Sequence, residues 1–248
     1  MSMRELRQLT ERADQQHREA MNTIHDDLGE LHLSRQDDEG VATRRNFVRN
    51  LGLGGAAVAF GTLLVPVAGL VPAAMAQTAS GKGADIPEAD MALVKFAQGL
   101  ELAAAAAYVA IVAARKLDTP QTEAARTFGR HHTEHSAALA KLIPKDDIAT
   151  QPNAKILAVF APQITDATDA DALMRIAFNL EMGAAATYQL AMGRLSNWQG
   201  AAAVSTIEPI EAQHAVVWGN ALDLPIDQWM PAFQSSADAL DPATYAAS

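Results

Sequence analysis

The chain has 248 residues and no cysteine, so disulfides, thiolate metal sites and cysteine nucleophiles are excluded. Residues 77–248 carry 11 Lys and Arg against 19 Asp and Glu, a net charge of −8, and an acidic surface of this kind excludes nucleic acid as a natural partner. Aromatic residues make up only 5% of the chain and alanine is abundant, which favours helices over sheets.

Residues 1–76 contain the features of an export signal in the expected order. Segment 43–49 reads TRRNFVR, an uncharged glycine-rich stretch follows at 51–71, and Ala-Met-Ala at 74–76 supplies a small-x-small cleavage site. The order resembles the twin-arginine export signal. The resemblance implies that the twin-arginine translocase carries the folded protein to the periplasm or cell envelope, with cleavage after Ala76. The alternative is a retained membrane anchor, because 21 uncharged residues can span a bilayer. The glycines weaken such a helix and favour cleavage.

The segment upstream of the paired arginines is unusually long for a signal. Apolar residues recur in it at heptad-like spacing: Leu6, Ala13, Ala20, Ile24 and Leu31. Polar residues interrupt this seam: Thr10, His17 and Asp27. The pattern predicts a mostly solvated cytoplasmic helix.

Residues 77–248 form one predicted domain, a four-helix bundle with a C-terminal tail. Apolar periodicity and helix breakers place the helices at about 87–117, 120–143, 169–195 and 197–224. The first and second helices, and likewise the third and fourth, are joined by only a few residues, so each pair is expected to be an antiparallel hairpin. About 25 residues, with a short helix near 154–160, connect the hairpins and can cross the bundle. Pro209 is expected to kink the last helix, and Trp229 and Phe233 to pin the tail to the bundle.

A sequence pattern occurs twice within this domain, about eighty residues apart. Each copy begins with Leu-Glu, then has three alanines and a tyrosine, and ends on a His three residues after a His or Glu. Glu101 precedes His135 by 34 residues, and Glu181 precedes His214 by 33. Such self-similarity indicates two copies of one helix hairpin.

The repeat places metal-ligating side chains on all four helices. Residues three apart share a helix face, so each His and the residue three before it can converge on one point. The candidate ligands are Glu101, His132, His135, Glu181, Glu211 and His214. Carboxylates mixed with imidazoles suit Fe or Mn, and Zn less specifically. His131 is expected to lie outside the ligands, because Ile210 is its counterpart, and the two repeat tyrosines to be core residues with a bonded hydroxyl or neighbours of the ligands.

Residues 90–222 resemble the ferritin-like superfamily, and within it the exported bacterial ferritin-like domain proteins. That family's pattern is Glu, Glu-x-x-His, Glu, Glu-x-x-His, and only His132 departs from it, standing where a bridging Glu is usual. The resemblance implies an all-α ferritin-like bundle and a dinuclear metal site. Three glutamates leave a charge of +1 on two divalent ions, so the site is expected to hold a pair with a single carboxylate bridge or one ion only.

The pattern leaves several functions open. One is the handling of dioxygen or peroxide, a small oxidant substrate, by a dinuclear Fe or Mn centre. Another is metal binding, iron storage or a stress-related envelope role without turnover, although the long tail disfavours assembly into a storage cage. A manganese catalase is the third, disfavoured because those proteins usually carry longer elaborations than this chain contains.

Overall fold

The computed structural model describes residues 3–36, 86–232 and 234–245 of the chain. The regular elements in these ranges are all helical, which confirms the predicted all-α class. We number the α-helices in chain order: α1 (Met3–Gln36), α2 (Glu88–Ala113), α3 (Thr119–Ala140), α4 (Ala154–Asp166), α5 (Ala170–Arg194), α6 (Trp198–Ala221) and α7 (Ile226–Trp229). A short 3₁₀ turn occupies Lys145–Asp147.

Side-chain caps fix where the bundle helices begin. Asp118 accepts a hydrogen bond from the backbone N–H of Gln121, whose side chain accepts one in return, which is a complete capping box at the start of α3. Asp169 accepts the backbone N–H of Ala172 at the start of α5, and Asn197 accepts those of Gln199 and Gly200 at the start of α6, each at the predicted helix start. The predicted helix ends overshoot by three or four residues at α2, α3 and α6, and α6 continues through Pro209 as one helix.

The four bundle helices pack as two hairpins. Helices α2 and α3 form one hairpin and α5 and α6 the other, and the hairpins meet through contacts of α2 with α5 and of α3 with α6. Helix α4 lies in the long connection and packs against α2 and α5, so the predicted crossover is present and longer in its helical part than expected. The two copies of the repeat thereby face each other across the core.

The chain divides into two compact units. The first comprises Met1–Ile24 and Gly83–Ser248, so the beginning of α1 belongs with the bundle. The second is His25–Lys82, and the paired arginines, the glycine-rich stretch and the cleavage site lie in its part outside the described residues.

Helix α1 buries one stripe of side chains against the bundle: Leu6, Thr10, Ala13 and His17. Most other side chains described between residues 4 and 19 are exposed, as predicted. Our interpretation of Thr10 and His17 as interruptions of the seam is wrong. The Thr10 hydroxyl is satisfied by the Leu6 carbonyl oxygen at 2.9 Å, and His17 finds partners on α3, so both polar side chains are buried within the seam.

The tail after α6 lies on the bundle through Trp229, as predicted. Its side chain packs against Gly219 and donates its indole N–H to the Leu224 carbonyl oxygen at 3.0 Å. Phe233 lies outside the described residues. Helix α2 has the length and apolar composition of a membrane span, but it is largely buried in the bundle, which is typical of the core helix of a soluble domain.

Candidate metal centre

Glutamates on α2 and α5 face each other in the bundle core. Glu101 and Glu181 are completely buried. The turns beside them are formed by buried alanines, among them Ala104 and Ala184, and side chains this small allow the two helices to approach closely. Burying two carboxylates destabilises the fold unless cations or hydrogen-bond donors lie beside them.

The facing helices α3 and α6 supply those groups. His132 and His135 project from one face of α3, and Glu211 and His214 from one face of α6, because residues three apart on a helix lie side by side. All four side chains are at most 1% exposed. The structure therefore brings together all six residues that the repeat singled out.

His132 lies at the middle of the group, between all three glutamates. Its Nδ1 atom is 2.7 Å from a Glu101 oxygen and 3.7 Å from a Glu211 oxygen, and its Nε2 atom is 3.2 Å from Glu181. The residue that departs from the family pattern therefore occupies the central, shared position rather than an edge.

The other two imidazoles flank this centre and turn their Nδ1 atoms inward. His135 Nδ1 is 2.8 Å from one Glu211 oxygen and 3.6 Å from Glu101. His214 Nδ1 is 3.3 Å from Glu181 and 3.6 Å from the other Glu211 oxygen. Glu211 thus spans both halves of the site.

Two overlapping groups of four residues could each hold a metal ion. The first is Glu101, His132, His135 and Glu211, and the second is His132, Glu181, Glu211 and His214. Within each group the ligand atoms lie within 4.8 Å of one another. Because His132 and Glu211 belong to both groups, the two groups form one continuous buried cluster that could hold a metal ion.

Glu211 supplies a test of whether a cation fits. Neither of its buried carboxylate oxygens makes an aligned hydrogen bond among the described residues, and neither does His135 Nδ1, although it lies only 2.8 Å from one of these oxygens. Buried polar atoms are almost always hydrogen-bonded, and orphaned ones mark an ion or a functional role. The two Glu211 oxygens and His135 Nδ1 lie close together and are the kinds of atom that bind metal ions, so a cation fits beside them.

The charges of Glu101 and Glu181 depend on the imidazoles beside them. Burial would raise the pKa of Glu101, but the charges of His132 and His135 lower it to about 2. Burial opposes ionisation of Glu181 too, yet His132 and His214 hold its pKa well below the usual value. Both carboxylates are therefore anionic at neutral pH.

The pKa values of the three inner imidazoles are raised, whereas those of Glu101 and Glu181 are lowered. Burial would lower the pKa of His132, but the surrounding glutamates, Glu211 foremost, hold it well above the usual value. The same balance raises the pKa of His135 to about 9 and also raises that of His214. Without metal, protons on the imidazoles balance the carboxylates.

The two repeat tyrosines cross between the repeats. Tyr108 donates its hydroxyl to Glu181, and Tyr188 donates its hydroxyl to Glu101, so each tyrosine holds the glutamate of the other copy. Both rings are buried, and Trp218 donates its indole N–H to the Tyr108 oxygen at 2.7 Å. These bonds confirm the bonded-hydroxyl prediction and make both tyrosines neighbours of candidate ligands.

His131 lies outside both groups, as expected, and so does Glu134. His131 Nδ1 is 2.9 Å from Nε2 of His214, on the side of that ring away from the glutamates. Glu134 pairs with Arg130 at 2.9 Å, four residues earlier on α3, and it also contacts His17.

Sequence reasoning missed two residues next to the site. Asp14 and His17 of α1 contact His131 and His135, respectively. The signal for them was present in the sequence, since Leu6, Thr10, Ala13 and His17 follow the three-and-four spacing of a buried helix face.

A cavity of about 450 Å³ lies between α2, α4, α5 and the tail. Its walls include Leu100, Ile156, Phe160 and Leu240, and none of the six candidate ligands lines it. The cavity is therefore separate from the metal centre.

Comparison with protein families agrees with this geometry. The family model described as a ferritin-like domain matches residues 89–224. The chain belongs to this family. The matched range covers helices α2 to α6 and contains all six candidate ligands, whereas Asp14 and His17 lie upstream of it. No curated protein and no solved structure matches the chain.

Proposed function

We propose that this ferritin-like protein holds a dinuclear iron or manganese centre. The proposed ligands are the six buried residues Glu101, His132, His135, Glu181, Glu211 and His214. The observation that carries the proposal is Glu211, whose two buried oxygens make no aligned hydrogen bond and face imidazoles on both sides. Cations held beside Glu211, one of them also bound by His132, would satisfy these atoms and compensate the charge of the three carboxylates.

The ligand set favours iron or manganese in the divalent state. Carboxylates with imidazoles suit these metals better than a site built from either type alone. Three carboxylates leave two divalent ions with a charge of +1, and His132 occupies the place of a fourth. The extra positive charge favours the reduced form and weakens binding of the second ion.

The proposed activity is the handling of dioxygen or peroxide. Two divalent ions, when bound, would supply two electrons, one from each ion, and repeated turnover would need an external reductant or a second peroxide to return them. The protein restricts the substrate to a very small molecule, because each of the six side chains is at most 1% exposed. The Tyr108 and Tyr188 hydroxyls hold Glu181 and Glu101 in place, so these carboxylates are oriented before any metal binds.

The second candidate function is metal binding without turnover, which includes metal storage or a stress-related role in the cell envelope. The complete burial of the candidate ligands favours it as well, since a closed site retains an ion. Measured turnover separates the two functions.

We also propose that the protein is exported through the twin-arginine translocase to the periplasm or cell envelope. Segment 43–49, the uncharged stretch at 51–71 and the alanines at 74 and 76 support this proposal. A metalloprotein core of this kind would be loaded before export, because the ligands close around the metal during folding.

The test combines metal analysis with a peroxide-consumption assay on the full-length protein. The wild type should contain up to two Fe or Mn ions per chain, and the double variant Glu211→Ala/His214→Ala should contain none. Glu208→Gln is the matched control, because Glu208 lies one turn earlier on α6 and belongs to neither group. Full metal occupancy in the double variant would refute the assignment. Peroxide consumption by the loaded wild type would support the oxidant function, and metal without turnover would favour the binding function.

A further inference from the structure

Helix α1 contributes two side chains to the surroundings of the candidate metal centre. His17 Nδ1 lies 3.2 Å from His135 Nε2, and Asp14 Oδ1 lies 2.9 Å from His131 Nε2. His17 is completely buried and stacks on His131 with 3.8 Å between ring centroids. These contacts come from a segment that precedes the matched family domain.

The contacts complete two equivalent chains of side chains, which we call relays. The first relay runs from His135 through His17 to Glu134, with contacts of 3.2 and 2.6 Å. The second relay runs from His214 through His131 to Asp14, with contacts of 2.9 Å in both steps. Each begins at an inner imidazole and ends at a carboxylate. Helix α1 supplies the middle member of the first relay and the end of the second.

The order of groups fixes where each proton lies. In the first relay the Glu134 carboxylate accepts the N–H of His17 Nε2, and His17 Nδ1 then accepts the N–H of His135 Nε2. Once His135 loses its extra proton, the lone pair that becomes free is therefore the one on Nδ1, which points at the centre. The second relay repeats this order and frees Nδ1 of His214. Such outer contacts fix the tautomer and the ring orientation of a ligating histidine.

Packing and charge hold α1 in this place. Leu6 and Ala13 belong to the same buried cluster as Phe128 and Trp218 of the bundle. Arg130 binds the carboxylates at the ends of both relays, Glu134 at 2.9 Å and Asp14 as well. Arg130 therefore stabilises the carboxylate end of each relay.

We propose that His17 and Asp14 are positioning residues of the metal centre, so that the segment upstream of the paired arginines is a working part of the folded metalloprotein. The inference rests on the proposed metal site. It also has a consequence for maturation. The relays belong to the protein before export: cleavage after Ala76 would remove His17 and Asp14, and retention of residues 51–71 as a membrane anchor would leave both on the opposite side of the membrane from the bundle.

The test is a Co²⁺ titration of the full-length protein, followed by visible absorption, which reports the coordination geometry. His17→Leu should weaken Co²⁺ binding about 10–100-fold and change the spectrum, as is usual when an outer partner of a ligand is lost. Asp14→Ala should act in the same direction through His131. His17→Gln should restore most of the affinity, because its amide can donate to Glu134 and accept from His135.

Leu195→Ala is the matched control for packing, because Leu195 is buried in a cluster that contains no residue of α1. It should lower the thermal stability of the metal-free protein while leaving the Co²⁺ spectrum and affinity unchanged. Equal Co²⁺ affinity in the wild type, His17→Leu and Asp14→Ala would overturn the inference, as would an equal loss in Leu195→Ala and His17→Leu. If the wild type bound no Co²⁺, the proposed metal site itself would fail, and the two failures are thus distinguishable.

Discussion

Metal binding should release protons from the centre, and their number should report how many imidazoles become ligands. The pKa of His132 lies well above its usual value, that of His135 is about 9, and that of His214 is raised. A group whose pKa lies above the pH is protonated, so the metal-free site carries protons at pH 7. An imidazole must lose its extra proton before it binds a metal.

The size of the effect follows from these pKa values. At pH 7 a group with a pKa of about 9 is ~99% protonated, so His135 releases close to one proton. If His132 ligates as well, loading the site releases about two protons per chain, and ligation by His214 adds to this number in proportion to its protonated fraction. The logarithm of the apparent affinity then rises with pH, with a slope near the number of protons released, and acidification weakens binding.

Isothermal titration calorimetry with Mn²⁺ measures this number. The binding enthalpy is recorded at pH 7 in buffers of different ionisation enthalpy, and its dependence on the buffer gives the protons released. His132→Gln should release about one proton fewer than the wild type. His131→Gln is the neighbouring control and should leave the count unchanged, because burial and the charge of His214 lower the pKa of His131 and leave it neutral. Release of less than one proton by the wild type, or an unchanged count in His132→Gln, would refute the reasoning.

Three further predictions concern the export signal, the central histidine and helix packing. Replacing Arg44 and Arg45 with Lys should leave the protein in the cytoplasm, measured by cell fractionation; normal export would mean that another route is used. His132→Glu should lower the thermal stability of the metal-free protein, since it places a fourth carboxylate among three, and should strengthen binding of the second ion and favour its oxidised state; unchanged stoichiometry and redox potential would contradict this. Gly219→Ala should destabilise the fold by about 1–3 kcal/mol in chemical denaturation, because the new Cβ would lie 2.5 Å from Trp229 Cβ. Gly193→Ala, with nothing within 4 Å of its Cβ, should instead stabilise it by about 0.5–1 kcal/mol, and equal effects at both glycines would contradict the packing.

The bundle and its inner residues could be predicted because local rules determine them. The caps at Asp118, Asp169 and Asn197 fixed the helix starts, and the three-residue spacing on α3 and α6 placed the candidate ligands on one face. The internal repeat then aligned the two hairpins. Each of these signals lies within one helix or one helix pair.

Features that depend on distant packing could not be predicted in the same way. The repeat identified Tyr108 and Tyr188, but not that each would bond the glutamate of the other copy, because that depends on how the hairpins meet. The docking of α1 was missed because His17 and His135 are 118 residues apart, and the segment between them has the composition of an export signal. Without knowledge of its partners on α3, His17 could only be interpreted as a polar residue that interrupts the apolar stripe of α1.

Anomalous X-ray scattering from crystals of the full-length protein grown with Mn²⁺ or Fe²⁺ most directly tests whether the six buried residues hold a metal. Data recorded on both sides of the metal absorption edge locate the ion independently of the protein. One or two peaks are predicted inside the bundle, about 2 Å from Glu211 oxygens and from Nδ1 of His135 or His214. No peak within the bundle, or peaks only on its surface, would contradict the assignment.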